Sequence, residues 1–226
     1  MTELTKGERT RKKLVDATAV LLRRQGYHAT GLSDIVAESG APRGSLYFHF
    51  PDGKDQLARA ALEAAGEEWR VRIEAVLADA LDLGTAIDSI VKLLADDLES
   101  SGWDHGCPVA AVALESTSAT VRKTIAAHYA SWQQGITDRL AGQFGIAPPI
   151  AAQLATVALA AIEGGLLLAR VQRSRAPLVT VGHALRAMAV FASGPAPQKA
   201  PRRGAGRVTS AKRSFRRSES SSRTRP

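Results

Sequence analysis

Several residue types and sequence patterns are scarce or missing in this chain of 226 residues. Its single cysteine, Cys107, excludes an intramolecular disulfide. The five histidines, at positions 28, 49, 105, 128 and 183, do not have metal-ligand spacing, so we expect no metal and no cofactor. No charge-free run of eighteen apolar residues and no secretory signal pattern appear. These absences predict a cytoplasmic protein that makes no contact with a membrane.

The sequence also lacks the motifs that carry enzyme chemistry. It contains no glycine-rich phosphate loop, no nucleophile with an adjacent base, no paired-carboxylate motif and no metal-ligand cluster. We therefore predict that the protein is not an enzyme.

Positive charge is concentrated at the two ends of the chain. Residues 199–226 carry ten Lys or Arg and one Glu, which accounts for more than the whole formal charge of +8. Residues 1–60 carry +3 and residues 61–198 carry −4. The segment 195–226 is rich in Ser, Arg, Gly and Pro, so we predict a disordered basic tail. Such a tail either adds sequence-independent phosphate contacts or serves only as a solubilising extension.

Between these ends, apolar residues recur at helical spacing and predict an all-α fold of about nine helices. We expect three helices in an N-terminal head, with the first over residues 8–25. The remaining helices are predicted to start near residues 60, 85, 107, 118, 150 and 178. Gly66 is expected to loosen the first of these, and Pro148 and Pro149 to interrupt the pattern before residue 150.

The most informative segment is residues 30–54, TGLSDIVAESGAPRGSLYFHFPDGK. Thr30 is predicted to cap a helix of about two turns that ends near Ser39. Gly40 can adopt the left-handed conformation, and Pro42 suits the first turn of a second helix. In that helix Leu46 and Phe50 are four residues apart and are predicted to pack inward. The outward residues are then Arg43, Gly44, Ser45, Tyr47 and His49. This arrangement predicts a helix-turn-helix that binds DNA.

The polar side of the first helix carries six basic residues: Arg9, Arg11, Lys12, Lys13, Arg23 and Arg24. These charges belong either to a solvated helix face or to a surface that attracts phosphate, and the adjacent helix-turn-helix makes the second interpretation at least as favourable.

The segment GAPRGSLYFHFPDGKDQL resembles the recognition-helix signature of TetR-family transcriptional repressors, GxxxGxxYxxF followed by a Lys and a Leu. The resemblance extends over about residues 8–62. It implies that Arg43, Gly44 and Tyr47 face base edges or the groove floor. It implies phosphate contacts from Tyr47, His49 and Lys54, and from Thr30 and Ser33 on the preceding helix. Phe48 departs from the pattern, because many members carry a hydrogen-bonding Tyr or His there.

Two further features resemble the LmrA/YxaF-like branch of the family. FPDGK is one residue longer than the commoner FxxK spacing, and GCPVAAVALES, from Gly106, resembles a recurrent segment of that branch. The resemblance implies a small-molecule effector of drug-like or aromatic character and control of efflux or detoxification genes.

The run TVALAAIEGGLLLARVQR is apolar around much of its circumference. The resemblance implies that this helix and the next pair with their symmetry mates in a homodimer. The predicted interface residues are Ile162, Gly164, Gly165 and Leu168. A central core helix within one protomer is the alternative.

The resemblance also implies an effector cavity among the middle helices. Candidate lining residues are Trp103, Cys107, Val112, Tyr129, Trp132, Ile162 and Leu166, and each could instead be an ordinary core residue. Cys107 is expected at the first turn of a helix, where a thiolate sensor is physically conceivable and a small buried residue is the favoured interpretation.

These observations together predict a dimeric regulator that binds a palindromic double-stranded DNA operator and is released by an effector. Its domains would be residues 1–52 for DNA binding and 53–194 for effector binding and dimerisation, followed by the tail 195–226. The rival prediction is a nonspecific architectural protein that coats DNA through the tail.

Overall fold

The computed structural model describes residues 4–115 and 118–192, and within them the chain forms nine α-helices and no strand. This confirms the all-α prediction. The tail 195–226, with its predicted disorder, lies outside the described residues. The helices are α1 (Lys6–Gln25), α2 (Leu32–Ser39), α3 (Arg43–His49), α4 (Lys54–Ala78), α5 (Leu83–Ser100), α6 (Pro108–Glu115), α7 (Ala119–Gly142), α8 (Pro148–Gln172) and α9 (Ala176–Ala192).

Local sequence signals fix both ends of α1. The Thr5 side chain accepts from the Glu8 amide while the Glu8 carboxylate accepts from the Thr5 amide, which satisfies two amides that the first helical turn leaves without partners. At the other end Gly26 has a φ of 79°, a conformation that suits glycine and ends the helix where the sequence predicted.

One of the two predictions about helix breakers is wrong, and the other changes only in detail. Gly66 does not loosen α4: it is buried, and a Cβ added there would come within 2.7 Å of the His128 ring, so the glycine permits close packing of α4 on α7. Pro148 and Pro149 follow the break after α7, as predicted, but the next helix begins at Pro148 and not near residue 150. They are the first residues of α8, where the amide that proline lacks would have no intrahelical partner.

Two larger hydrophobic clusters organise the packing. The first joins α1, α2 and α3 to α4, α6 and α7 around Leu14, Leu22, Leu57 and Val112. The second joins α5, α8 and α9 and includes the buried Leu98. Residues 4–115 and 118–192 belong to one compact unit. The first cluster crosses the predicted domain boundary at residue 52 and so packs both sides of it together. The division into functional domains at that residue stays a prediction.

Helix α8 is long and apolar enough to cross a membrane by length and composition alone. That property is weak evidence for a span, since core helices of soluble proteins share it. Here α8 packs against α5, α7 and α9.

Candidate nucleic-acid interface and effector region

The outward side of α3 is presented by two buried anchors. Leu46 and Phe50 are each 1% exposed and pack into the first cluster, as predicted. With those anchors inside, Arg43 and Gly44 are exposed, Tyr47 is 51% exposed and Phe48 is 81% exposed. Ser45 and His49 are half-buried at the edges of this surface. The helix therefore offers one cation, one glycine and two aromatic rings to a groove.

Helix α2, which precedes the turn before α3, ends at the predicted residue but does not have the predicted N-cap. Gly40 is left-handed, with a φ of 61°, and ends α2. The α2 N-cap, however, is Gly31, whose amide donates to the Asp34 carboxylate over 3.0 Å. Thr30 lies one residue before the cap.

The predictions for Thr30 are corrected by its burial. Its side-chain hydroxyl donates to the Gly26 carbonyl over 2.6 Å and its amide donates to the Tyr27 carbonyl, and none of the residue is exposed. Thr30 therefore closes the α1–α2 corner and is not available to phosphate. Ser33, on the first turn of α2, is exposed and remains a candidate phosphate contact.

Lys54 lies within a compact set of side chains where α4 begins. Its ammonium is 4.2 Å from the Tyr27 ring centroid and 3.5 Å from the His28 carbonyl. Tyr27 donates to Asp55, which is also hydrogen-bonded by Ser118. Burial lowers the pKa of Lys54 against the opposing attraction of Asp55. A phosphate contact from this half-buried lysine stays a prediction.

The basic side of α1 is not uniformly available to DNA. Arg23 pairs with Asp97 of α5, and its Nε donates to the Gly106 carbonyl over 3.0 Å. Arg72 of α4 reaches the same carboxylate at 2.8 Å. Lys12 pairs with Asp16 along α1, whereas Arg11 lies 5.2 Å from the Phe50 ring centroid, close to α3.

The predicted effector residues divide between the two hydrophobic clusters. Cys107, Val112, Tyr129 and Trp132 belong to the first, and Val112 is fully buried there. The others pack against the second cluster: Trp103, Ile162 and Leu166. The prediction of one shared lining is therefore not supported, although Cys107 and Tyr129 do meet at one carboxyl group.

That carboxyl group belongs to Glu163, which the sequence interpretation missed. The Tyr129 hydroxyl donates to Glu163 Oε1 over 3.5 Å, and the Cys107 thiol is hydrogen-bonded to the same side chain. Burial raises the pKa of Glu163, and the two hydrogen bonds oppose that rise only in part. The signal was available, because Glu163 is the only charged residue from position 148 to 169.

Cys107 has the environment of a protonated thiol. Burial raises its pKa, and the neighbouring Glu163 carboxylate raises it further. The amides of the first α6 turn act in the opposite direction but do not outweigh these effects. The thiolate-sensor alternative therefore finds no support in this environment, and Cys107 fits the favoured interpretation of a packed residue.

A separate concavity of about 530 Å³ lies between α4 and α7. Its lining consists of Arg59, Glu63, Thr120, Lys123, Thr124, Ala127 and His128. None of these was predicted as an effector residue. The Nε2 atom of His128 is buried without a hydrogen-bond partner among the described residues, and its ring lies 5.9 Å from Trp132.

The predicted dimer residues fall into two groups, one exposed and one packed inside the protomer. Gly164 is exposed with open space around it, and Leu168 is 51% exposed. Gly165 is instead buried against Val181 and Leu178 of α9 in the same protomer, and Ile162 packs on the second cluster. Gly165 thus permits intramolecular packing of α8 on α9, which corrects its assignment to the dimer interface.

Taken together, the short turn, the two buried anchors and the exposed α3 side chains define a DNA-binding protein of the helix-turn-helix class. Residues 14–61 match the bacterial regulatory proteins of the tetR family. Residues 84–184 match the C-terminal domain of LmrA/YxaF-like transcriptional regulators.

Whole-chain comparisons agree with these matches. The HTH-type transcriptional regulator LmrA of Bacillus subtilis (strain 168) is 34% identical over 174 residues, which cover 76% of this chain and 92% of that protein. An uncharacterized HTH-type transcriptional regulator of Mycobacterium tuberculosis (strain H37Rv) is 36% identical over 183 residues, covering 78% and 92%.

Among solved structures, a TetR transcriptional regulator from Chloroflexus aurantiacus J-10-FL has a TM-score of 0.69 and 30% identity. The alignment covers 83% of this chain and 96% of that one. A TetR-family regulator from Cytophaga hutchinsonii, with a TM-score of 0.74 and 21% identity over 86% and 100%, shares the fold. The chain belongs to the TetR family of bacterial transcriptional regulators, in its LmrA/YxaF-like branch. It is a DNA-binding regulator and not an enzyme.

Proposed function

We propose that this protein is a cytoplasmic, homodimeric repressor that binds a palindromic operator and is released from it by a small-molecule effector. The observation that carries sequence-specific binding is the α3 surface, where Arg43, Gly44, Tyr47 and Phe48 are held outward by buried Leu46 and Phe50. A disordered basic segment alone would suffice for nonspecific attraction to phosphate, whereas an ordered surface of this kind is suited to reading base edges.

Dimerisation is supported by exposed apolar side chains on α8 and α9. Contiguous exposed patches of this type mark interaction surfaces. The exposed apolar residues are Ile150, Val157, Leu167, Leu168 and Val171 on α8, and Val179, Val190 and Phe191 on α9. Gly164 lies on the same helix as Leu168, and a Cβ added to it would meet nothing within 4 Å, which leaves room for a partner helix. A two-fold axis through this face would pair two heads and match a palindromic site.

Effector release is supported by contacts that join the head to the body. The His28 amide donates to the Glu115 carboxylate over 2.9 Å, at the end of α6. Arg170 of α8 donates to the Arg24 carbonyl over 2.8 Å, and Arg23 pairs with Asp97. A ligand that shifts α6 or α8 would move these contacts and change the spacing of two paired heads.

The decisive experiment is selection from a random duplex DNA pool at about 150 mM salt, where purely electrostatic binding is largely suppressed. The full chain is compared with a version that ends at Gly194. We expect both proteins to select one palindromic motif. Binding without a shared motif, lost when the tail is removed, would instead establish the rival, a nonspecific architectural protein.

A further inference from the structure

Glu163 lies at the junction of three helices without a counter-charge from the described part of the chain. It projects from α8 toward the N-terminal end of α6 and the middle of α7. Among the ion pairs of residues 4–115 and 118–192, none includes Glu163. Glu163 is half-buried, and a carboxylate partly withdrawn from water without a cation is costly, so the group either holds its proton or acquires a positively charged partner.

The two groups that are hydrogen-bonded to Glu163 carry no positive charge, and the thiol is a weak donor. They are the Cys107 thiol before α6 and the Tyr129 hydroxyl on α7, and the latter is at the long limit of a hydrogen bond, 3.5 Å. Arg170, two turns further along α8, donates to the Arg24 carbonyl instead. The protein therefore leaves a large part of the carboxylate's hydrogen-bonding and charge capacity unused.

Tyr129, which contacts this carboxyl group, begins a series of neighbouring rings on α7. Tyr129 and Trp132 form an edge-to-face pair with centroids 5.6 Å apart, and His128 lies 5.9 Å from Trp132. Burial lowers the pKa of His128, so its ring tends to stay neutral and does not repel a cation. His128 also lines the α4–α7 concavity, so the residue next to Trp132 borders a space that is open to solvent. An acid close to aromatic side chains is the composition that recognises organic ammonium groups.

We propose that Glu163, together with the Tyr129 and Trp132 rings, recognises the positive group of an organic cation, and that this cation is the effector. The assignment of the cation as effector rests on the repressor function proposed above, whereas the cation site itself does not. The cation supplies the counter-charge that the described residues withhold, and the rings contact its apolar substituents. A neutral ligand of the same shape would leave the carboxylate unpaired.

The test uses the full chain and a pair of isosteric probes, (4-hydroxyphenyl)trimethylammonium and 4-tert-butylphenol. The two differ in charge but hardly in shape, and calorimetry without DNA measures both affinities. We expect the cation to bind about tenfold more tightly than the phenol, which is the scale of a partly desolvated cation–π and carboxylate site. A purely apolar pocket would instead prefer the tert-butyl compound.

Variants test whether the preference for the cation over the phenol depends on Glu163. Glu163→Gln should abolish it, and Glu163→Asp, which keeps the charge on a shorter side chain, should retain its direction. Glu74→Gln is the matched control, because it removes one charge from an exposed α4 residue that pairs with Arg70. Thermal unfolding of each variant checks that it is folded.

The proposal is overturned if the wild-type protein binds the phenol as tightly as the cation, or binds the cation too weakly to saturate at about 10 mM. It is also overturned if Glu163→Gln and Glu74→Gln keep the same cation preference. Operator release is measured separately. Cation binding that depends on Glu163 but leaves the operator complex intact would overturn the effector role while the cation site stands.

Discussion

Asp97 connects three helices through two arginine side chains. Arg23 of α1 and Arg72 of α4 both pair with its carboxylate on α5, and the Asp97 and Arg23 side chains are each 16% exposed. Burial opposes ionisation of Asp97, but Arg72 and Arg23 outweigh it and hold its pKa below the ordinary value. Both arginines also lie near the Trp69 ring. The group therefore joins the DNA-binding head to the body by charge as well as by packing.

We predict that Asp97→Asn lowers the free energy of unfolding by about 2 kcal/mol at pH 7, between the values for exposed and buried pairs, because it leaves two arginines unpaired. A lowered folded-state pKa contributes stability above the unfolded-state pKa of about 3.9 and loses it as the pH falls through the folded-state value. The difference between wild type and variant should therefore shrink below a pH of about 3.9.

Urea unfolding at a series of pH values measures both effects. Asp96→Asn is the matched control, since Asp96 forms exposed pairs with Lys92 and Arg175 and should cost much less. Equal losses from the two variants, or a loss from Asp97→Asn that does not change in acid, would contradict this account of Asp97.

Tyr47 provides a residue-scale test of base recognition. Because the side chain is half exposed and lies outside the first cluster, Tyr47→Ala should leave the fold intact. We expect it to weaken binding to the selected operator about tenfold to hundredfold, the scale of one good base contact, with little change on random DNA. Fluorescence anisotropy with both duplexes measures the ratio. Equal losses on the two duplexes would argue against sequence reading by α3.

At the scale of elements, α2 and α3 show which features helical periodicity can predict and which it cannot. The α2 end at Gly40 and the inward positions of Leu46 and Phe50 were predictable, because they depend on neighbours within one helical turn. The α2 cap was predicted incorrectly, since Thr30 suits a cap by residue type but its hydroxyl donates to the Gly26 carbonyl instead.

Gly44 gives a test in which stability and DNA binding should change in opposite directions. A Cβ added at Gly44 meets nothing within 4 Å, so Gly44→Ala should fold normally and gain about 0.5–1 kcal/mol of helix stability. The added methyl group should hold the α3 backbone away from the groove. Operator affinity should then fall roughly tenfold or more, since a loss of about 1.4 kcal/mol of binding free energy is a tenfold change in affinity.

Gly135→Ala is the matched control, since Gly135 lies inside α7 and is also exposed with open space around it. It should gain stability without changing operator affinity. Unchanged operator binding by Gly44→Ala would show that the close approach of α3 to the groove is not needed.

At the scale of the whole molecule, α8 and α9 carry several apolar side chains that the described residues 4–115 and 118–192 leave exposed. Val171 is 74% exposed and Phe191 is 87% exposed. Pairing with a second copy would remove this apolar surface from water, at about 25 cal/mol for each Å² buried.

We predict that Leu168→Glu combined with Val171→Glu converts a dimer into a monomer at micromolar concentration and weakens operator binding, because each interface would bury charge without a partner. Sedimentation equilibrium measures the mass. Leu81→Glu is the control, since Leu81 is 94% exposed and lies outside α8 and α9. A doubly substituted protein that stays dimeric would place the interface elsewhere.

The sequence by itself determined the helices, the tight turn and the outward residues of α3. These features follow from hydrogen bonds and side-chain spacing within a few residues, so a local pattern contains the information. The family resemblance was also present in the sequence, because the motif lies in one continuous segment.

Only the tertiary structure decided which side chains meet across helices. Gly164 and Gly165 are neighbours in the sequence, yet one is exposed and the other is packed against α9. Arg23 is one of seven basic residues on α1, but its side chain pairs with Asp97, 74 positions further along the chain. Glu163 acquired its thiol and hydroxyl partners from outside its own helix. Such pairings depend on helix rotation and crossing, which long-range packing sets and local periodicity does not encode.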